Sequence, residues 1–308
     1  MKWIDIYKSA LKIGSSYDIR NNEKIINKNE ISNLDVFDYA DSLIINGNYD
    51  KEINNLYVAI DVDTSELILV KELIKNGFAI DGVLSHHPIG KGCYLIHEVI
   101  DIQRYNWIKF GVNKKIANKL HFNLVWEEKI ESGGNHISAQ NCAKYLDIPL
   151  MCIHTPIDNI VQKFFEDLFI HKNEITLNEA MDIVNNIPEC KMASDNGDKP
   201  FLVSNNKEET VNNKKNNLKL GRFLIDMTGG VDPPDEIFYY LKKAGIDTIV
   251  GMHYNLDNIK SIIKNELNAI ICGHMACDSI GVNIFCDYLE NNGVNIISGA
   301  GFYRFKRY

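Results

Sequence analysis

A chain of 308 residues, 45% hydrophobic and 24% charged, can bury a sizeable core and has the charge content of an ordinary globular protein. Its formal net charge of −8 argues against a general nucleic-acid binder. No apolar run approaches the roughly 20 residues of a membrane span, and residues 1–8 carry charges where a signal peptide needs an unbroken apolar core. Seven cysteines without Cys-x-x-Cys spacing suit reduced thiols better than a disulfide framework, so the expected location is cytoplasmic.

Trp3, Ile4, Tyr7, Ala10 and Leu11 recur at helical spacing, which predicts an amphipathic first helix. Residues 15–33 are polar and read as a solvated connection. Leu56 to Ile60 has the pattern of a buried strand; a helix through Leu67, Val70, Leu73 and Ile74 follows, with Asp63-Thr64 as its cap. The next apolar run, Ala79 to Leu84, completes a β-α-β unit and hence a parallel pair. It closes on Ser85-His86-His87-Pro88, where Pro88 stops the ladder and leaves two imidazoles at a strand end. Asp61 stands at the end of the preceding strand, at the rim of any site there.

Gly90-Lys91-Gly92 lacks the spacing of a phosphate-binding loop. A helix is expected from His97 to about Phe110, and residues 111–136 are rich in Asn, Lys and Glu, ending in the turn Gly133-Gly134-Asn135-His136 before a helix around Ala139–Leu146. The short strand Ile148–Ile153 ends in His154-Thr155-Pro156-Ile157-Asp158-Asn159, a histidine four residues before an aspartate at a strand-to-helix elbow. Taken alone, Asp158 is as well explained by complementing the helix dipole. Residues 191–218 are polar apart from Pro200-Phe201-Leu202-Val203 and read as a linker.

The last third repeats the α/β rhythm. Phe223–Ile225 and Ile246–Val250 are strands, the second ending at Gly251-Met252-His253. Ala269–Cys272 is a third, ending in Gly273-His274-Met275-Ala276-Cys277-Asp278. With the helix begun at His274, residues four apart share a face and can bind one ion. Cys272 and Cys277 flank this histidine, but buried free thiols are the commoner explanation. Val294–Ile297 is a final strand, and the aromatic-basic tail Gly301–Lys306 is expected to pack on the core. The expected division is an N-terminal α/β lobe over residues 1–165 carrying His-His-Pro and His-x3-Asp, a polar connection over 166–218, and a C-terminal α/β segment over 219–308 carrying Gly-His-x3-Asp.

Three strand ends thus present His-His, His-x3-Asp and His-x3-Asp, and parallel topology puts strand C-termini on one side of a sheet. Imidazole and carboxylate ligands without thiolates suit Zn, Fe, Mn, Co or Ni and do not choose among them. Two carboxylates and four imidazoles suffice for two divalent ions, which about 4 Å apart polarise a substrate and lower the pKa of a shared water.

Ser85-His86-His87-Pro88, His154-Thr155-Pro156-Ile157-Asp158-Asn159 and Gly273-His274-x3-Asp278-x2-Gly281 resemble, in order, the motifs of the Nif-three-like dinuclear metal centre proteins, whose members are often described as GTP cyclohydrolase type-two-like. Asp41-Ser42-Leu43-Ile44-Ile45-Asn46-Gly47 is a degraded match to that family's Trp-Asp-Asn-x-Gly-Leu opening. The resemblance implies a metal pair held by His86, His87, Asp158, His274 and Asp278 with His154 close by, two α/β lobes with mixed or parallel sheets and the site in the cleft between them, and a ring-shaped homohexamer. The chain departs from the pattern at Asp278, where the family has Glu, and in a longer stretch from Lys91 to Asp147 at the expected pocket entrance.

Two functions follow as expectations. The first is a metal-dependent hydrolase acting on a cyclic amide, amidine or nucleotide, with His154 or His253 shuttling a proton. The second is a non-catalytic assembly in which the ions serve delivery, regulation or ring stability. A phosphoesterase of the Asp-His-His class is disfavoured, because Ser85 stands where that class needs its aspartate. Neither a membrane nor a nucleic acid is expected as a partner.

Overall fold

The computed structural model describes residues 1–21, 38–131, 133–204 and 218–307. Helix α1 (Trp3–Tyr17) precedes strand β1 (Leu43–Asn46), and β2 (Asn55–Ala59), α2 (Thr64–Lys75) and β3 (Gly82–Ser85) form the expected β-α-β unit. Asp63 caps α2 by accepting from the amides of Ser65 and Glu66, as the sequence suggested. Four helices follow: α3 (Lys91–Tyr94), α4 (Asp101–Lys109), α5 (Lys114–Glu131) and α6 (Ile137–Leu146). Strand β4 (Leu150–Cys152) then leads into α7 (Thr155–Phe169). Helices α8 (Leu177–Asn185) and α9 (Pro188–Asp195) and strand β5 (Phe201–Val203) come next. The chain continues with β6 (Phe223–Asp226), α10 (Ile237–Lys243), β7 (Thr248–Gly251), α11 (Leu256–Lys264), β8 (Asn268–Ile271), α12 (His274–Asn291) and β9 (Asn295–Ser298).

The protein is α/β, with two mixed sheets ordered β1-β4-β3-β2-β9 and β5-β8-β7-β6. β1 and β5 are antiparallel edges, and every other pairing is parallel. Period-two alternation sends side chains to two different cores. Leu56, Val58, Leu84 and Met151 face a core shared with α1, α7 and α12, whereas Tyr57, Ala59, Val83, Leu150 and Cys152 pack under α2 and α6. In the second sheet Ile225, Val250 and Ile270 also face α7 and α12, and Leu224, Ile249, Ala269 and Ile271 face α10 and α11. Helices α7 and α12 therefore form one layer that both sheets bury.

The sequence-based division does not follow these layers. Residue 165 lies inside α7, β9 returns to pair with β2, and the 166–218 connection holds α8, α9 and β5. Residues 205–217 of the expected connection and 22–33 of the first polar stretch lie outside the described residues. The 111–136 stretch is mostly helical, because Ala117, Leu120 and Leu124 give α5 one buried stripe in an otherwise polar run. The C-terminal tail packs as expected: Phe302 is buried, and Arg304 pairs with Asp287 and Glu290. Among the described residues, no helix is long and apolar enough to cross a membrane.

One close approach sets the geometry of the shared layer. A Cβ at Gly281 of α12 would stand 2.7 Å from Cγ2 of Ile157 and of Val161 and 2.8 Å from the Ile157 carbonyl, so only glycine lets α12 lie this close to α7. Gly281→Ala is expected to destabilise the fold by about 1–3 kcal/mol in chemical denaturation, overpacking outweighing the better helix former. Wild-type stability in that variant would show that the two helices are not held this tightly.

Candidate metal centre

Matched strand ends bring the candidate ligands to one level. Ala59 pairs with Ser85 and Ser85 with Cys152, so Asp61, His86, His87 and His154 all follow strands that stop together. On the other sheet Asp226 pairs with Gly251 and Gly251 with Ile271, which places His253 and His274 at the corresponding edge. Gly273 takes a φ of +92°, a conformation open to glycine, and turns the chain so that α12 begins at His274. Asp278 follows one turn later, and Asp158 sits in the first turn of α7 beyond Pro156.

These residues meet. Asp278 Oδ2 lies 3.1 Å from His87 Nε2 and 3.3 Å from His274 Nε2, and its Oδ1 lies 3.5 Å from His86 Nε2. His86 Nε2 is 3.4 Å from Asp158 Oδ1, and His154 Nε2 is 3.7 Å from Asp158 Oδ2. Three overlapping sets bring their ligand atoms within 4.8 Å of one another: His86, His87 and His154; His87, His274 and Asp278; His86, Asp158 and Asp278. All five sequence-derived ligands are in these sets. So is His154, which the sequence reading cast as a proton shuttle. Asp278, one methylene shorter than the family's Glu, faces His86, His87 and His274 at once. Cys272 and Cys277 are buried in the core between α12 and the second sheet and join none of these sets.

The outward nitrogens of three rings are tied down. His86 Nδ1 donates to the Ile153 carbonyl at 3.1 Å, which leaves Nε2 to face the carboxylates. His87 Nδ1 lies 2.7 Å from Asp61 Oδ1, and His154 Nδ1 donates to the fully buried Asp41 at 2.8 Å. Asp41 also accepts from the Thr155 amide at 3.2 Å and hydroxyl at 2.6 Å. Carboxylates and carbonyls behind ligating imidazoles fix tautomer and orientation in this way. His253 stands farther out, its ring 4.6 Å from that of His274 and its Nδ1 3.2 Å from Asp232 Oδ1. Asp41 was visible only as part of a degraded motif, and Asp232 was hidden in a segment that reads as a helix start before Pro233-Pro234.

Charge and burial make the cluster suited to cations. His86 Nε2, Asp158 Oδ1 and Asp278 Oδ1 are buried and, among the described residues, have no hydrogen-bond partner. Orphaned polar atoms of this kind are costly, and a cation between them would satisfy all three. Burial disfavours charge on His86, but Asp278 and Asp158 outweigh it and push its pKa up to about 10. His87 is likewise opposed by burial, yet hydrogen bonds with Asp278 and Asp61 bring it up to about 9. Asp278 is held far below the usual carboxylate range, because the surrounding imidazoles overcome the burial that opposes its ionisation. His274 is pulled down by burial, which Asp278 does not make up. The cluster opens on a pocket of about 230 Å³ whose outer wall includes Gln103, Asp226, Asp232, His253 and Tyr254. Burial pushes Asp226 up to about 6, although its carboxylate accepts from Tyr254 at 2.8 Å.

No protein-family model matches the chain, and no curated protein matches it. Solved structures do. A NIF3 superfamily protein from Sphaerobacter thermophilus superposes with a TM-score of 0.73 at 20% identity, covering 96% of this chain and 98% of that one. The chain has the NIF3 fold. Reduced HcgD from Methanocaldococcus jannaschii is a second neighbour, with a TM-score of 0.54, 16% identity and coverage of 97% and 98%. The fold thus agrees with the resemblance carried by the His-His-Pro and His-x3-Asp motifs.

A divalent ion needs neutral imidazoles, whereas His86 and His87 hold their protons to about pH 10 and 9 in the metal-free protein. Metal uptake at pH 7 is therefore expected to release about two protons per chain, and affinity to rise with pH up to about 10, less steeply above about 9. Calorimetry in buffers of different ionisation enthalpy measures the release. Uptake without protons, at an affinity indifferent to pH, would show that these imidazoles are not ligands.

Proposed function

We propose that the chain is a dinuclear metal-binding protein that acts as a metal-dependent hydrolase on a small molecule, a cyclic amide, a cyclic amidine or a nucleotide. The observation that carries this reading is the set of three buried, mutually facing ligand atoms on His86, Asp158 and Asp278, without hydrogen-bond partners among the described residues and directly beneath an open pocket. His86, Asp158 and Asp278 would hold one divalent ion and His87, His274 and Asp278 a second, with His154 beside the first. The donors fit Zn, Fe, Mn, Co or Ni. When bound, such a pair polarises the scissile bond and makes water a better nucleophile near neutral pH.

The chain's own side chains supply the remaining functions. Asp41 and Asp61 hold the His154 and His87 rings in place, so ligand geometry does not have to be organised during a turnover. His253, paired with Asp232 at the pocket wall, is placed to give a proton to a leaving nitrogen. That pairing is the first cause of a pKa above the ordinary histidine value, which keeps the proton available near neutral pH. The homohexamer implied by the motifs belongs to the same proposal.

The test is turnover by metal-loaded protein over a panel of cyclic amides, amidines, nucleotides and phosphoesters, against Asp158→Asn as control. Hydrolysis of at least one ring substrate is expected, reduced by about 100-fold or more in the control. Bound metal with no turnover above the control would favour the non-catalytic reading.

A further inference from the structure

The pocket above the cluster has a chemical character that the ligand set does not dictate. Among the described residues, no lysine or arginine lines it. Gln103 is 2% exposed, and its Nε2 donates to the Val231 carbonyl at 2.5 Å. That bond fixes which end of the amide faces the carbonyl, and Oε1 is left as a buried acceptor with no partner among the described residues. The groove outside continues the pattern: Glu127, Asp235 and Glu236 line it together with Asp232. Asp257, also there, is paired with Lys260 at 2.7 Å.

Two divalent cations would not reverse this balance. Four carboxylates, Asp41, Asp61, Asp158 and Asp278, already face the cluster or its imidazoles and match a total charge of +4. The positive charge of His253 is matched within its pair with Asp232. Asp226, which accepts from Tyr254, remains at the wall as a carboxylate with no lysine or arginine beside it among the lining residues. A phosphate group entering here would meet carboxylates, with no side-chain cation to receive it.

Resting on the hydrolase reading above, we propose that the pocket takes a small, cationic, unphosphorylated nitrogen compound of the amidine or guanidine type, held by Asp226 and Asp232. Nucleotide phosphates are thereby excluded from the substrate class. The acidic groove would raise the local concentration of such a cation.

Benzamidine, benzamide, benzoate and phenyl phosphate share one ring and differ in charge, so calorimetric titration of the metal-loaded full chain with each isolates the effect. Benzamidine is expected to bind most tightly, benzamide less so, and both anions about tenfold or more weaker than benzamidine. Asp226→Asn and, separately, Asp232→Asn should narrow that gap with metal content unchanged. Equal or tighter binding of either anion overturns the proposal, as does absence of benzamidine binding or a gap untouched in both variants. Elemental analysis of the same samples separates the two readings. Preference for benzamidine in protein that holds no metal removes the hydrolase proposal alone, whereas two bound ions without the preference remove this one alone.

Discussion

Two buried carboxylates, Asp158 and Asp278, face the same imidazole, and that arrangement is the constraint on which the rest depends. Each belongs to a different helix of the layer buried by both sheets, so their approach is set by how closely α7 and α12 pack. Gly281, one turn beyond Asp278, removes the side chain that would hold the helices apart. Buried like charges at this separation repel strongly unless a cation or a set of donors compensates them. His86 and His87 do so in the metal-free protein by retaining protons, and the same atoms point where an ion would take over that role.

The scaffold around this layer accounts for the mixture of rigidity and openness at the site. Parallel strands that end in register place His86, His87, His154, His253 and His274 within three residues of a strand end. The first sheet contributes the more buried ligands, with His86 and His154 tied from behind. The second contributes the half-open wall with Asp226, Asp232 and His253. His274 and Asp278 also follow the second sheet, so the cluster is closed by side chains from both sheets.

Much of this was legible in the residues. The apolar runs Leu56–Ile60 and Ala79–Leu84 predicted the β-α-β unit, and the strand ends at His86, His154 and His274 were recognisable as sites because Pro or Gly follows or precedes each. Pairings made across long sequence separations were not legible. The strand Asn295–Ser298 carries no mark that it returns to β2, and Phe201–Val203 reads as an apolar interruption because its antiparallel partner lies almost 70 residues on. Helices α8 and α9 were lost in polar sequence, although Thr176 and Glu179 form a capping box that starts the first of them. Asp41 and Asp232 escaped for another reason: a single aspartate beside serine or proline has many commoner uses, and only tertiary contact with His154 or His253 gives it a role.

The most direct measurement of whether the convergence around Asp278 is a metal centre is anomalous diffraction from crystals of the full chain grown with a divalent transition metal. Two peaks are expected, one enclosed by His86, Asp158 and Asp278 and the other by His87, His274 and Asp278. Density for an ion elsewhere on the chain, with none between these side chains, would contradict the assignment.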